Sequence, residues 1–377
     1  MTKKHLLIKN TLTVLLTLVC LVANATVPDS IKRNLEDFDY IVTFTEENYA
    51  AFPAIIEQGY RKKYETLKKQ LRKQVAKGKA NIEKAVCEYA IWFYKNFDTH
   101  YQLNNTALWE SYEQPVHIDY KKMMEYNPQP VSCKVDEQTW LVRVPSCVGK
   151  NPTTEWVQQA AKDFQKSGCE HLIIDVRGNE GGNTDIWKPF IDMLVDQRRE
   201  GTIDNFFRNT KHNQSFWEYA LSESPNNSYF KDFLKQCKDS LGKNDFELWT
   251  SYDASEVTPK LLPKRAAILV DNGTCSAGES LIQLYVKGVS SRTKVYGKER
   301  TFGADLTGNV YYTKFPNADI YLTYPTCIKQ KEFLEHHVFG ANGIAPDVRI
   351  TLPYPKRLTD NIDEWVLWVA EDFKKQK

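Results

Sequence analysis

From Ala266 to Glu279 the chain reads AAILVDNGTCSAGE: an apolar run, a turn of small and polar residues, then the opening of a helix at Ser276. It reads as a buried strand that runs through a small-residue turn into a helix, with Ser276 at the junction. The junction also carries chemistry. A serine there sits beside unpaired backbone N–H groups and the positive end of the helix dipole, where a developing oxyanion is stabilised. The same residue has a plainer reading. Ser276 and Glu279 have the Ser-x-x-Glu spacing of a capping box, which makes Ser276 the first residue of an ordinary helix.

A second strand end of the same kind lies earlier. His171 to Gly182, HLIIDVRGNEGG, is the apolar run of a buried parallel strand followed by a glycine-bearing turn. Gly181 and Gly182 lack a Cβ and bring bare N–H groups close to a substrate carbonyl. The segment does not fit a nucleotide-binding loop, since it has neither a Gly-Lys-Ser/Thr ending nor a three-glycine fingerprint. Taken alone it is equally a tight turn below a sheet.

Four segments occur together in order: residues 172–182, the turn from Thr274 to Glu279, Val295-Tyr296-Gly297 with Thr301-Phe302-Gly303, and Gly343-Ile344-Ala345-Pro346-Asp347-Val348. This order and spacing resemble the tail-specific (C-terminal processing) and tricorn-core serine peptidases, over residues 138–352. The resemblance implies an α/β fold, a ClpP/crotonase-like spiral core, here behind an N-terminal helical cap domain. It implies Ser276 as nucleophile, with the Ala277 N–H and the Gly181-Gly182 turn as oxyanion donors.

The processing-peptidase branch places a lysine after Thr-Phe-Gly, where this chain has Ala304 and then Asp305. Lys294 and Lys298 precede that motif and read as surface residues whose stems lie along the protein. A Ser-Lys dyad is therefore not expected. Phe97-Asp98-Thr99-His100-Tyr101 instead resembles the Asp-x-His element of the tricorn-like branch. His100 is the expected base: with an unperturbed pKa of about 6.5, its neutral form accepts the serine proton at neutral pH. A surface histidine is the alternative.

Thr99 matches the hydroxyl neighbour of that histidine. The branch draws its orienting acid from shortly before Gly-x-x-Pro-Asp, a place taken here by Phe339-Gly340-Ala341-Asn342. Glu335 is the nearest upstream carboxylate and the expected acid, with Glu332 next. Both are equally readable as solvated charges. The implied reaction is acyl transfer on peptides or unfolded proteins. No metal or other cofactor is expected, and the chain has no HExxH and no Cys-x-x-Cys.

Lys3, Lys4 and Lys9 precede an apolar run from Leu12 to Ala23, closed by Ala23-Asn24-Ala25. That is the pattern of a cleaved export signal over residues 1–25, and the run is too short for a stable membrane span of about 20 residues. Val19 before Cys20 is a poor lipidation site. A periplasmic or extracellular protein follows. The net charge is +2, and −1 without the three leader lysines, so nothing draws the chain to nucleic acid. The basic stretch from Arg61 to Lys79 carries Tyr64, Leu67, Leu71 and Val75 at helical spacing, a solvated face over a packed stripe.

Cys20 leaves with the leader, and the odd number of cysteines that remains implies a free thiol. Cys275 adjoins Ser276, but the resemblance aligns Ser276 with the nucleophile, and a small buried thiol is the common role for cysteine.

The chain divides into a helical domain (26–100), a connecting segment (101–137), the core (138–352) and a C-terminal helix (353–377). The connecting segment is too short for a PDZ module. Within the core, residues 186–260 form an aromatic-rich, polar insertion that a helical lid over the cleft would explain, although aromatics at such spacing more often mark packing than substrate pockets. Asn309–Phe315 and Ile320–Tyr324 read as a hairpin. Two rivals stand beside the peptidase reading. One is a catalytically inactive ligand- or peptide-binding member of the same fold, resembling the retinoid-binding protein of the eye. The other is a crotonase-like acyl-CoA enzyme, which an export signal would separate from its CoA pool.

Overall fold

The computed structural model describes residues 28–111, 119–253, 260–335 and 343–375. The leader and the Phe339–Asn342 segment lie outside these residues.

The described residues begin with three long helices, α1 (Asp29–Asn48), α2 (Arg61–Ala76) and α3 (Ile82–Asn96), with a short helical turn at Phe52–Ile55 between the first two. Each buries one stripe: Phe38, Ile41 and Val42 from α1, Tyr64, Leu71 and Val75 from α2, and Ala85, Val86, Tyr89 and Phe93 from α3. The lysines and arginines of α2 lie outside its buried stripe, as expected for a helix with one packed face. Asn81 caps α3 by accepting the Lys84 N–H at 2.9 Å. The helix ends at Phe97, and the chain turns through Asp98–His100 into β1 (Gln102–Asn104).

After β2 (Glu125–Tyr126) come β3 (Val131–Lys134) and β4 (Thr139–Arg143). The predicted helix then appears as α4 (Thr154–Lys166), capped by Thr153 and burying Val157, Ala160, Ala161 and Phe164. Strand β5 (His171–Asp175) follows, then the 186–260 region with β6 (Ile203–Arg208), α5 (Lys211–Glu223), α6 (Ser228–Ser240) and β7 (Phe246–Tyr252). The core resumes with β8 (Arg265–Leu269), α7 (Ala277–Tyr285) and β9 (Thr293–Gly297). The hairpin is β10 (Thr307–Lys314) and β11 (Tyr321–Ile328), followed by α8 (Gln330–Glu335). Two short strands, β12 (Val348–Arg349) and β13 (Arg357–Leu358), lead to α9 (Glu364–Lys375).

The central sheet runs β12-β9-β8-β5-β4-β3, parallel except for the β3–β4 pair. Its middle strands are apolar on both faces because both are covered. Leu172, Ile174, Ala266 and Ile268 pack with residues of α4 and α7, while Leu141, Ile173, Ala267 and Leu269 pack with residues of α9. Asp175 pairs with Leu269 in the β5–β8 register, so the two glycine-bearing loops leave the sheet side by side at its carboxyl edge.

The insertion is not the helical lid that its aromatic spacing suggests. Its strands β6 and β7 pair with each other and extend a second sheet, in which β11 lies between β10 on one side and β1 and β6 on the other. The Ile203–Arg208 run alternates buried and half-buried residues, a period of two. The aromatics of α5 and α6 pack as a cluster against this sheet through Phe207, Trp217 and Phe233.

At the carboxyl ends of β4 and β5, Arg143 and Arg177 share two carboxylates. Asp175 accepts from Arg143 Nε (2.7 Å) and Arg177 Nη2 (2.7 Å), and Asp363 accepts from Arg143 Nη2 (3.0 Å) and Arg177 Nη2 (2.7 Å). All four side chains are buried. Burial opposes ionisation of Asp175, yet the two guanidiniums prevail and hold its carboxyl at about 2. Asp363→Ala leaves two buried guanidiniums with a single carboxylate. It is expected to lower the unfolding free energy by about 3–5 kcal/mol, read from the urea midpoint and slope.

Candidate active site

The two loops at the carboxyl edge are stitched together by polar groups of their own sequence. Asp271 Oδ1 accepts the N–H groups of Gly178 (3.0 Å) and Gly273 (2.9 Å), and Thr274 Oγ1 donates to the Val176 carbonyl at 2.8 Å. Cys275 N–H donates to the Asn179 carbonyl at 2.8 Å. These bonds fix the turn that delivers Ser276 to the head of α7. Ser276 has φ +50°, a region a non-glycine residue rarely occupies and one that surrounding structure must enforce.

Ser276 has the surroundings that both readings need. It opens α7 with the expected capping pair, the Glu279 carboxylate accepting its N–H at 3.1 Å. Its Oγ lies 3.3 Å from Nε2 of His100, a residue distant in sequence that the end of the helical cap carries to the sheet edge. The hydroxyl at a helix N-terminus and an imidazole within reach form the pair that nucleophilic acyl transfer needs.

The far side of His100 departs from the sequence expectation. Nδ1 sits 3.1 Å from Thr307 Oγ1 and 3.4 Å from Asp98 Oδ1. Asp98 is buried and receives the His100 backbone N–H (2.9 Å), the Thr307 hydroxyl (2.9 Å) and the Tyr49 hydroxyl (2.9 Å). Glu335, the expected acid, is exposed at the end of α8. The carboxylate at His100 is thus Asp98, two residues before it, because the tight turn after α3 folds that side chain back onto its own histidine. The expected hydroxyl neighbour is likewise replaced. Thr99 Oγ1 is buried without a hydrogen-bond partner among the described residues, and Thr307 of β10 stands at the ring.

This arrangement fixes the tautomer. A carboxylate only accepts, so the single Thr307 hydroxyl proton goes to Asp98, and Thr307 accepts from His100. Nδ1 therefore carries the proton, and Nε2 presents a lone pair to Ser276 Oγ.

The oxyanion donors narrow as well. Gly181 N–H is held by Asn179 Oδ1 at 2.9 Å, so it is not available to a ligand. Its glycine is required sterically: φ is +100°, and a Cβ would stand 2.7 Å from Ser276 Cβ and 3.0 Å from Ala277 N. Gly182 and Ala277 line the cavity in front of Ser276, and neither N–H has a partner among the hydrogen bonds of the described residues. The carbonyl of Ala277 is occupied by the Trp187 indole N–H at 2.7 Å, which holds the first turn of α7 in place.

Behind the serine, Glu279 is fully buried and accepts from Thr301 Oγ1, Gly303 N (2.7 Å) and Ala304 N (2.7 Å) besides Ser276 N. Burial first, and then the Asp305 charge, push its carboxyl up to about 7 against the help of these donors. In the unfolded chain a glutamate titrates near 4.3. The native state therefore binds the proton more tightly, and the stability this contributes is full below about pH 4.3 and lost as pH rises through about 7. Glu279→Gln is expected to remove that slope, so that the stability difference between wild type and variant changes across this window in paired urea titrations.

Asp305 forms a buried ion pair with Lys329 at 2.8 Å and accepts the Ser280 hydroxyl. No lysine follows Thr-Phe-Gly, and this one, brought in from the end of β11, is engaged by Asp305. Lys298 donates to the Leu352 carbonyl at 2.8 Å, away from the serine. Burial pushes the Cys275 thiol well above its ordinary range, which leaves it a poor nucleophile beside Ser276. Among the described residues no cluster of His, Cys, Asp and Glu has the geometry to hold a metal.

The family model for peptidase family S41 matches residues 139–350, more than half of the chain and the whole of the sheet edge just described. The chain belongs to this family. It is accordingly a peptidase, a hydrolase of peptide bonds, with the mixed α/β core of S41 behind a helical region. No curated protein sequence matches the chain.

Among solved structures, the chain is similar to a Parabacteroides merdae protein described as a candidate peptidase, at 16% identity and TM-score 0.51, covering 90% of this chain and 96% of that one. A lipoprotein from Streptococcus agalactiae gives 14% identity and TM-score 0.47, covering 91% and 96%. The tricorn protease gives 15% identity and TM-score 0.25, covering 56% of this chain and 15% of its own. The first of these shows a shared fold through nearly the full length, helical region included.

Proposed function

We propose that this S41 peptidase is an exported serine endopeptidase acting on peptides or unfolded proteins, with Ser276 as nucleophile and His100 as general base. The observation that carries the reading is the 3.3 Å approach of His100 Nε2 to Ser276 Oγ at the head of α7. In this mechanism Nε2 takes the hydroxyl proton as Oγ attacks the peptide carbonyl. The tetrahedral oxyanion meets the N–H groups of Gly182 and Ala277 and the dipole of α7. The imidazolium, stabilised through Nδ1 by Asp98 and Thr307, then protonates the leaving amine, and water repeats the route to release the acyl group.

Export is supported by the leader pattern of residues 1–25. No helix among the described residues is long and apolar enough to cross a membrane. The reading is tested by incubating the protein with an unfolded protein substrate and following fragments by mass spectrometry. Cleavage by the wild type that disappears in Ser276→Ala is expected. Cleavage that persists in the variant would remove Ser276 from the nucleophile position.

A further inference from the structure

A cavity of about 910 Å³ opens directly in front of Ser276 and Ala277 and runs beneath the inserted β6-α5-α6-β7 unit. Its size lies in the range of about 300–1,000 Å³ typical of ligand sites. Three features of its wall describe what it accepts.

The first is aromatic surface. Phe216, Trp217, Tyr229, Phe230, Trp249 and Tyr252 all line it, and all come from the insertion. Their rings support one another, Trp217 lying 5.2 Å from Trp249 and 5.6 Å from Phe230, so the wall is packed before any guest arrives. The second is the absence of net charge. The charged lining residues form two ion pairs, Asp185 with Lys188 at 2.9 Å and Asp305 with Lys329 at 2.8 Å. A charged side chain finds no uncompensated partner there and would lose its hydration. The third is unfinished hydrogen bonding. The indole N–H groups of Trp217 and Trp249 and the amide oxygen of Asn205 are buried without a partner among the described residues, and all three residues line the cavity. Buried polar groups are rarely left so, and a guest with polar edges reaches these two donors and one acceptor where the rings part to admit it.

From these features we infer that the cavity is the specificity site of the peptidase and takes an uncharged aromatic side chain of the substrate, next to the bond that Ser276 attacks. The aromatic body packs on the insertion rings in edge-to-face contact. The amide groups of the peptide, or a phenolic hydroxyl, complete the orphaned donors and acceptor. The insertion thus has a function apart from the sheet it extends: it converts an acyl-transfer site into one that selects. The inference rests on Ser276 being the nucleophile only for the position of the cut, not for the binding of the aromatic group.

The test has a cleavage arm and a binding arm, both on the full chain. Fragments of an unfolded protein are mapped, and kcat/KM is measured on paired peptides that differ only in tyrosine or alanine at the preferred position. Phe, Tyr and Trp are expected to be enriched at one position flanking the cut. Trp249→Ala is expected to reduce the tyrosine-over-alanine preference by roughly tenfold. Tyr229→Ala, at an exposed residue, takes its place if circular dichroism shows that the tryptophan variant does not fold. In the binding arm the Ser276→Ala protein is titrated with N-acetyltyrosinamide and N-acetylalaninamide while its indole fluorescence is followed.

Cleavage without aromatic enrichment, or with an enrichment that the folded variant retains, overturns the inference. If no cleavage occurs at all, the peptidase reading of Ser276 fails, and the binding arm decides the cavity. A saturable response to tyrosinamide alone then upholds the inference, and its absence overturns it.

Discussion

Replacing His100 by alanine is expected to lower kcat on a peptide substrate by roughly 10⁴- to 10⁶-fold while leaving KM within a few-fold. The size of the effect follows from what the proposed mechanism asks of the imidazole twice in one cycle: to take the Ser276 proton during attack and to return it to the leaving amine, with no other base among the described residues placed to do either. Lys329 is engaged by Asp305, and Glu279 accepts four hydrogen bonds behind the serine instead of facing the hydroxyl. His100 forms little of the core, so the variant is expected to unfold at nearly the same urea concentration as the wild type. A small kinetic loss would mean that another group removes the proton.

Asp98→Asn is the second large effect. The carboxylate accepts the Thr307 hydroxyl, which forces Thr307 to accept from Nδ1 and leaves Nε2 bare toward Ser276. An asparagine amide can donate instead of accept, so the Thr307 hydroxyl is free to turn its proton toward Nδ1 and favour the wrong tautomer. The expected loss in kcat is roughly 10³- to 10⁴-fold, as for a triad acid replaced by its amide. Thr307→Val removes the hydrogen bonds to Asp98 and from Nδ1, while Asp98 itself stays within 3.4 Å of Nδ1, and should cost only about tenfold. Glu335→Ala, on an exposed residue, should leave kcat at the wild-type value. These variants separate the carboxylate that touches the histidine from the one that sequence position favours.

The contrast between Asp98 and Glu335 shows what a linear reading can and cannot reach. The core strands were legible because their apolar runs, buried on both faces, end in turns of distinctive composition, and α4 because a Thr cap precedes a clean helical stripe. The approach of His100 to Ser276 was legible for the same reason, each residue lying in a segment with its own pattern. The carboxylate beside the histidine was sought downstream because resemblance pointed there. The signal for Asp98 was the Asp-x-His spacing itself, which a tight turn turns into contact.

Thr307 and Lys329 carried no local signal. They reach the site only because β10 and β11 pair across the cap and the insertion, a tertiary arrangement that neighbouring residues do not encode. The insertion was misread for a related reason: aromatic spacing in α5 and α6 marks packing, while the short strands that flank them become visible only through their partners in the second sheet. The Asn179 side chain, buried and bonded to the Gly181 N–H, likewise engages the N–H of one of two adjacent glycines that composition alone treats as equal.

The central claim is that Ser276 is a nucleophile activated by His100, and a covalent trap tests it most directly. The protein is treated with a fluorophosphonate at neutral pH, digested, and the modified peptide identified by tandem mass spectrometry. A single adduct on Ser276 is expected, formed far more slowly in His100→Ala and absent in Ser276→Ala. An adduct on another residue, or labelling of Ser276 at an unchanged rate without His100, would contradict it.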